Sequence, residues 1–279
     1  MTAQAPTQSA PRLAIQTLLL PGDDLDAQFA NAARYGFDGV EVAVGPAFDL
    51  RERFSDVQNA SRRAGIPVAA ICTHPIHDPL VPDADDRARR LSGLADLLAM
   101  ADDLGALGVV SVPVRPPYAF PGPNDDADGM AAAADVMRAW ADSLPSGSSR
   151  VFLEPLNRYE ASFLNRVGQA TALARAVDHP RVAALADLFH MNIEEASLAD
   201  PIVEAGPLLG HVHIADNNRF EPGAGCLDFA APFTALKRIG YAGFLGIECF
   251  SPTGPRLSGD PEQALPATVA MLRETWSAA

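Results

Sequence analysis

The strongest constraint on the fold of this chain is a short pattern that recurs along it: a helix end, a glycine, and then an apolar strand. The phrases "RYGFDGVEV", "RRAGIPVAAI", "DLGALGVVSV" and "RIGYAGFLGIE" all show this pattern. A glycine directly after the last helical residue is a common helix stop. Strands with a wholly apolar centre are typical of parallel sheets that are covered on both faces. At a spacing of roughly 30 residues, the pattern predicts a series of βα units.

Eight such units are expected in the 279 residues. The strands are predicted over residues 13–17, 39–44, 68–74, 109–114, 150–155, 182–188, 210–216 and 244–250. The helices that follow them are predicted over residues 25–35, 50–64, 84–104, 128–143, 166–176, 193–204, 229–239 and 261–275. This number of units in a chain of this length predicts an α/β fold, a single (β/α)8 TIM barrel over residues 12–279. An open doubly wound sheet is the weaker alternative, because no Gly-rich phosphate loop follows the first strand.

Composition restricts the compartment and the partners. Residues 1–11 contain no Lys or Arg and no apolar run, which indicates a disordered tail rather than a secretory signal. No run of about 18 apolar residues occurs, so no membrane span is expected. The three cysteines form no CxxC pair, which argues against a thiolate zinc site and favours a cytoplasmic protein. The excess of 35 acidic over 21 basic residues argues against nucleic acid as a partner.

Four consecutive predicted strands, the fifth to the eighth, each carry an acid or a histidine within an apolar run. These residues are Glu154, Asp187, His213 and Glu248. In a barrel, the active site lies at the carboxyl ends of the strands. Because ionised carboxylates are costly to bury alone, several of them converging there need a cation. Three carboxylates and one imidazole favour Mn²⁺, Mg²⁺ or Co²⁺, with Zn²⁺ still open.

Each of these residues also has a structural interpretation. Glu154 alone would be a loop acid and Asp187 alone a helix cap, while His211 and His213, on one strand face, would be hydrogen-bonded core histidines. Glu248 has the weakest structural interpretation, since an acid has no packing role in the buried phrase "GIECF". Taken jointly, the set favours a metal site.

The same residues carry a resemblance to a known family. The phrases are "EPLNRYE", "DLFHMNIEE", "GHVHIADNNR" with "PGAGCLDF" after it, and "GIEC". They resemble the xylose-isomerase-like TIM-barrel sugar isomerases and epimerases, most closely the ketose 3-epimerases of the tagatose/psicose type. The resemblance is dense in the second half of the chain, whereas the first half matches only in its βα rhythm.

The resemblance implies a role for seven residues. It makes Glu154, Asp187, His213 and Glu248 the ligands of one divalent metal ion, with Mn²⁺ as the first choice and Co²⁺ or Mg²⁺ as alternatives. Glu154 and Glu248 are also the implied catalytic proton-transfer groups. The implied substrate contacts, at the O1 to O3 end of the sugar, are Glu160, His190 and Arg219. A homodimer or homotetramer is implied on the same grounds.

The implied activity is that of a metal-dependent ketose (or sugar-phosphate) 3-epimerase or isomerase. Epimerisation at C3 removes the proton next to the C2 carbonyl and returns one on the other face, through a metal-stabilised cis-enediolate. Other reactions of the superfamily use the same groups: aldose–ketose isomerisation, dehydration, or lyase chemistry on an oxidised sugar. The motifs alone do not choose among these reactions.

Two further functions are weaker. A metal-dependent apurinic endonuclease would need more ligands at strands two to four and a basic groove, and the chain offers only Glu41 and His74 there. A catalytically inactive binding barrel is disfavoured by the complete set of seven residues.

The predicted loops do not identify which residues contact the distal part of the substrate. Tyr118 and Phe120 follow strand four, whereas both tryptophans fall in predicted helices and are expected to serve packing. His74, after strand three, is either a substrate contact or an ordinary loop histidine. Arg115 and Arg256 either bind an anionic substrate tail or are solvated loop charges, and the second interpretation is favoured.

Overall fold

The computed structural model describes residues 10–115 and 127–279. Nearly all of the predicted tail, and the loop aromatics Tyr118 and Phe120, lie outside the described residues. Within them, no helix combines the length and the apolar character that crossing a membrane requires.

Eight parallel strands close into a barrel, in which each strand pairs with its neighbours in chain order and β8 pairs with β1. The strands are β1 Arg12–Gln16, β2 Gly39–Ala43, β3 Val68–Cys72, β4 Gly108–Ser111, β5 Arg150–Leu153, β6 Val182–Asp187, β7 Leu209–Ile214 and β8 Phe244–Ile247. A small hairpin, β9 Phe250–Ser251 and β10 Gly254–Pro255, follows the last barrel strand. The predicted (β/α)8 barrel is therefore confirmed, and the open sheet is excluded.

Helices surround the barrel. The described α-helices are α1 Leu25–Tyr35, α2 Leu50–Ala64, α3 Ala84–Leu104, α4 Ala127–Asp142, α5 Val167–Val177, α6 Leu188–Glu194, α7 Asp200–Ala205, α8 Ala230–Arg238 and α9 Pro261–Ala278. Local capping chemistry fixes many of their ends. Asp24 caps α1 by accepting a hydrogen bond from the amide of Ala27, and Gly36 ends that helix at a φ of 92°.

The prediction of a single helix over residues 193–204 is wrong. Two short helices, α6 and α7, occupy this part of the chain. The first begins directly after β6, because the carboxylate of Asp187 accepts hydrogen bonds from the amides of Phe189 and His190. The second begins near Pro201, a residue that is well suited to the first turn of a helix.

The interior of the barrel is built in layers. Small residues and aromatic rings, including Phe152 and Phe244, fill it toward the amino ends of the strands. Polar residues fill it toward the carboxyl ends. A much larger apolar core lies between the barrel and the helices, and it contains both tryptophans, Trp140 and Trp276, as expected for packing residues. The layering places the ionisable groups at one end of the barrel.

Candidate active site

The four predicted metal ligands meet at the carboxyl end of the barrel. Each of them, Glu154, Asp187, His213 and Glu248, offers one oxygen or nitrogen atom, and these four atoms all lie within 4.8 Å of one another. The residues are almost fully buried, with between 0% and 6% of their surface exposed. They stand at the ends of β5, β6, β7 and β8, so Glu154 and Glu248 flank the other two.

The two glutamates approach the same nitrogen of His213. Its Nδ1 atom lies 3.0 Å from Oε1 of Glu154 and 3.5 Å from Oε2 of Glu248. Two carboxylates therefore converge on one nitrogen of a buried imidazole at the carboxyl end of the barrel, which forms the mouth of the site.

A second polar layer lies beneath these residues. Glu41, on β2, has its carboxylate 2.8 Å from Nε2 of His211 and 3.0 Å from Nε2 of His213. The amide nitrogen of Gln16 donates both to Glu41 and to Glu248. Gln16, Glu41 and His211 are fully or almost fully buried. Among the described residues, Glu41 also forms a second potential ligand group with the two histidines.

Arg219 contacts three other residues of the site, Asp187, Glu248 and His190. Its guanidinium donates from Nη1 to Asp187 at 2.6 Å and from Nη2 to Glu248 at 2.5 Å. Nη2 also lies 3.4 Å from Nε2 of His190. The backbone of Arg219 has a φ of 65°, in a turn where Asp216 accepts hydrogen bonds from several amides. The loop thus holds the arginine in place at the expense of an unfavourable backbone conformation.

The remaining two predicted substrate contacts are linked by an asparagine. His190, on α6, is buried and lies 2.8 Å through Nδ1 from the side-chain nitrogen of Asn157. The same asparagine nitrogen donates to Glu160, which is exposed at the rim. The asparagine therefore joins a buried group and an exposed group along one wall of the site.

The pKa values of the two glutamates in the site, Glu154 and Glu248, are shifted in opposite directions. Burial raises the pKa of Glu154, and the neighbouring charge of Glu248 raises it further. Burial also disfavours the ionised form of Glu248, but the charges of His213 and Arg219 outweigh it and hold its pKa well below the usual range. Such a split between two nearby carboxyls suits a pair in which one group donates a proton and the other accepts one.

The imidazole of His213, the predicted nitrogen ligand, is surrounded by carboxylates. Burial opposes the charged form of His213, yet the carboxylates around it raise its pKa well above the usual value. Burial likewise disfavours charge on Glu41, but His213 and the hydrogen bonds from both histidines lower its pKa. Glu41 is therefore an ionised acceptor for the Nε2–H of His213, and Nδ1 is the nitrogen that faces Glu154 and Glu248, where a bound cation would replace its proton.

The donor set fits a hard divalent cation. Three converging carboxylates and one imidazole form an oxygen-rich group, and a bound cation would offset the cost of burying their charges. Arg219 supplies only one positive charge against three carboxylates. The layer of Glu41 and Gln16 beneath them orients His213 and Glu248, as the outer contacts of metal sites commonly do.

Of the residues at the edge of the mouth, Arg115 differs from the expectation. Arg115 is not a solvated loop charge, since it pairs at 3.2 Å with the buried Asp78 and is only 21% exposed itself. Arg256 is exposed, as expected. His74 is also exposed and caps a short turn through its Nδ1 atom. Cys72 points its sulfur toward Glu248, at 3.7 Å.

The prediction from sequence missed Gln16 and Asn157, and it treated Glu41 only as a ligand for an endonuclease. A signal existed for Glu41, because the phrase "GVEVA" places an acid in a buried strand in the same way as "GIECF". Gln16 gave no such signal.

Comparison with known proteins agrees with the geometry. Residues 29–275 match the family model described as the xylose isomerase-like TIM barrel. The 3-dehydro-D-guloside 4-epimerase of Escherichia coli (strain K12) is 33% identical over 257 residues, which cover 88% of this chain and 93% of that protein. The D-psicose 3-epimerase of Agrobacterium fabrum is 31% identical over 235 residues, covering 82% and 80%.

Solved structures show the same relationship. The crystal structure of 3-keto-D-glucoside 4-epimerase from E. coli superposes with a TM-score of 0.82 and 29% identity, covering 95% of this chain and 99% of that one. A structure of L-ribulose 3-epimerase gives a TM-score of 0.80 and 26% identity, covering 96% and 95%. These relatives are carbohydrate epimerases, and the chain belongs to the xylose isomerase-like TIM barrel family.

Proposed function

We propose that this protein is a divalent-metal-dependent epimerase of keto-sugars, acting at a carbon next to the carbonyl. The observation that carries the proposal is the pair of buried carboxylates, Glu154 and Glu248, which approach the Nδ1 atom of His213 at 3.0 Å and 3.5 Å. Epimerisation needs one group that removes a proton and a second group that returns one on the opposite face. The two carboxylates beside His213 supply two such groups.

The proposed metal ligands are Glu154, Asp187, His213 and Glu248. The ion would be Mn²⁺, with Co²⁺ or Mg²⁺ as alternatives. When bound, a divalent cation polarises the sugar carbonyl and stabilises the negative charge that follows loss of the neighbouring proton.

The protein's own groups supply the proton transfers. In one direction, a carboxylate oxygen of Glu154 or Glu248 takes the proton from the carbon next to the carbonyl, and the other residue delivers its proton to the opposite face. In the reverse direction, the two glutamates exchange roles. Arg219, fixed by Asp187 and Glu248, places a positive charge beside the developing anion. His190 and Glu160 are the proposed contacts to the substrate hydroxyls.

Two substrates use this chemistry at different carbons. A free ketose would be inverted at C3, next to its C2 carbonyl, which is the reaction indicated by the motifs. A 3-keto sugar would be inverted at C4, and this second candidate is favoured by the 33% identity to the E. coli 4-epimerase over nearly the whole chain. Both substrates present a proton next to a ketone to the same two glutamates.

A substrate panel in D2O tests the proposal. The Mn²⁺-loaded enzyme is incubated with free ketoses, with their phosphate esters and with a 3-keto-glucoside, and products are followed by NMR. The expected result is one deuterium at the carbon that changes configuration, with the ketone retained. Transfer of the carbonyl to C1, or loss of water from the sugar, would instead identify an isomerase or a dehydratase.

A further inference from the structure

A second cavity lies at the opposite end of the barrel from the proposed active site. Its volume is about 540 Å³, within the range of roughly 300–1,000 Å³ typical of small-molecule sites. It is lined by the first residues of β5 and β7 and by the segments that precede β4 and β8. The lining residues that matter here are Leu107, Ser148, Arg150, Phe152 and Tyr241.

Arg150 is the charged residue of this cavity. It is half-buried, and its guanidinium carbon lies 5.9 Å from the centre of the Phe152 ring. Among the described residues, no carboxylate pairs with it, and burial lowers its pKa. A second guanidinium, that of Arg12, borders the cavity: it lies 3.8 Å above the Phe244 ring and donates to the carbonyl oxygen of Ala242, a lining residue.

Carboxylates are absent from the described lining of the cavity. The acid of this region, Asp102, accepts hydrogen bonds from the amides of Ser148 and Ser149 and pairs with Arg181 at 2.5 Å. In a chain with a net charge of −14, the guanidiniums of Arg12 and Arg150 therefore have no acidic partner within the part of the chain that the structure describes.

We infer that this cavity binds a small molecule that carries a phosphate or carboxylate group, with Arg150 as its principal contact. A guanidinium held in a desolvated wall forms strong, charge-assisted hydrogen bonds to such oxyanions. The hydroxyl of Ser148 supplies a further donor at the rim, and the half-buried side chain of Leu107 supplies an apolar surface for the rest of the ligand.

The same location offers Arg150 a purely structural role. The helices α3 and α8 end beside the cavity, near Gly105 and Gly240, and helix carboxyl ends stabilise a neighbouring cation. If those carbonyl groups alone account for the arginine, the cavity has no affinity for anions. The two roles therefore give different results in a binding experiment.

Calorimetric titration of the Mg²⁺-loaded protein with inorganic phosphate is the test. We expect one phosphate to bind per chain and Arg150→Gln to weaken the binding by about tenfold or more. The matched control is Arg175→Gln, which removes the same charge from an exposed position on α5 and should leave binding unchanged. Arg150→Lys, which keeps the charge but not the fork of donors, should give an intermediate affinity.

Three outcomes overturn the inference. These are an absence of phosphate binding, equal binding by wild type and Arg150→Gln, and binding that is lost in Arg219→Gln but kept in Arg150→Gln. The last result would place the anion at the opposite mouth of the barrel. If Arg150→Gln does not fold, the comparison of Arg150→Lys and Ser148→Ala with Arg175→Gln decides, and unchanged affinity in both rejects the site.

Discussion

The Nε2 atom of His213 lies 3.0 Å from Oε1 of Glu41, on the side of the imidazole that faces away from Glu154. Because Glu41 is an ionised acceptor, this contact keeps a proton on Nε2 and leaves Nδ1 facing Glu154 and Glu248, where a bound cation would replace its proton. Glu41 thus acts on the site through the histidine, without reaching the mouth itself.

The first prediction concerns this contact. Glu41→Gln should lower the affinity for Mn²⁺ by about 10- to 100-fold, because the amide no longer selects one tautomer of His213. Titration of activity against Mn²⁺ concentration measures the change, and saturating metal should restore much of the rate. The control is Glu52→Gln, an exposed position on α2. Unchanged metal affinity in Glu41→Gln would show that Glu41 has no positioning role.

The second prediction separates the two glutamates. Glu154→Gln and Glu248→Gln should each reduce epimerisation by about 10²- to 10⁴-fold, since each removes one of two proton-transfer groups while keeping an oxygen as a possible ligand. Each variant should still exchange the proton of one epimer with D2O, and the epimer should differ between the two variants. NMR detection of deuterium in each purified epimer measures this.

The pattern of exchange is the decisive part of that experiment. If both variants exchange the same epimer, a single base serves both faces and the two-carboxylate mechanism is wrong. Normal epimerisation by both variants would remove the glutamates from the reaction altogether.

The third prediction concerns removal of the metal. Chelation should abolish activity, and Mn²⁺ or Co²⁺ should restore it, because three buried carboxylates converge on the proposed site. Binding to the native state alone should also raise the free energy of unfolding, by about 2.7 kcal/mol at a metal concentration 100 times the Kd. Thermal unfolding with and without metal measures this, and Asp187→Asn should show a smaller rise. Full activity of the metal-free protein would contradict the assignment.

The residues at the ends of β5 to β8 were predictable because each interrupts an apolar strand. An acid or a histidine at such a position is costly unless it has a function or a partner, so Glu154 and Glu248 stood out in the sequence. The strand rhythm then placed them on neighbouring elements of one barrel.

The layer beneath them was not predictable in the same way. Gln16 donates to Glu248, which is 232 positions away in the chain, and only closure of the barrel brings β1 beside β8. The register of β2 against β3 also shifts between Val40 and Glu41. Strand identity alone therefore does not determine which residue lies at which depth in the barrel. The helix boundary after β6 was missed for a local reason, since Asp187 ends the strand and caps α6 at once.

The fourth prediction concerns Asp78, which pairs with Arg115 at the edge of the mouth. Burial raises the pKa of Asp78 to about 7, although the charges of Arg115 and Arg90 oppose the shift and Glu154 adds to it. Because the folded pKa lies above the unfolded value, the folded state binds more protons between about pH 4 and pH 7. The contribution of Asp78 to stability is therefore fully present below about pH 4 and is lost as the pH rises through 7.

Asp78→Asn removes this titration. We expect the free energy of unfolding of the wild type, relative to Asp78→Asn, to fall by roughly 2 kcal/mol between pH 5 and pH 8, since each pH unit within the window contributes about 1.4 kcal/mol at most. Urea unfolding of both proteins across this range measures the difference. Asp85→Asn, an exposed change at the start of α3, should track the wild type over the same range. A constant difference between wild type and Asp78→Asn would mean that Asp78 stays ionised, and that its pair with Arg115 outweighs its burial.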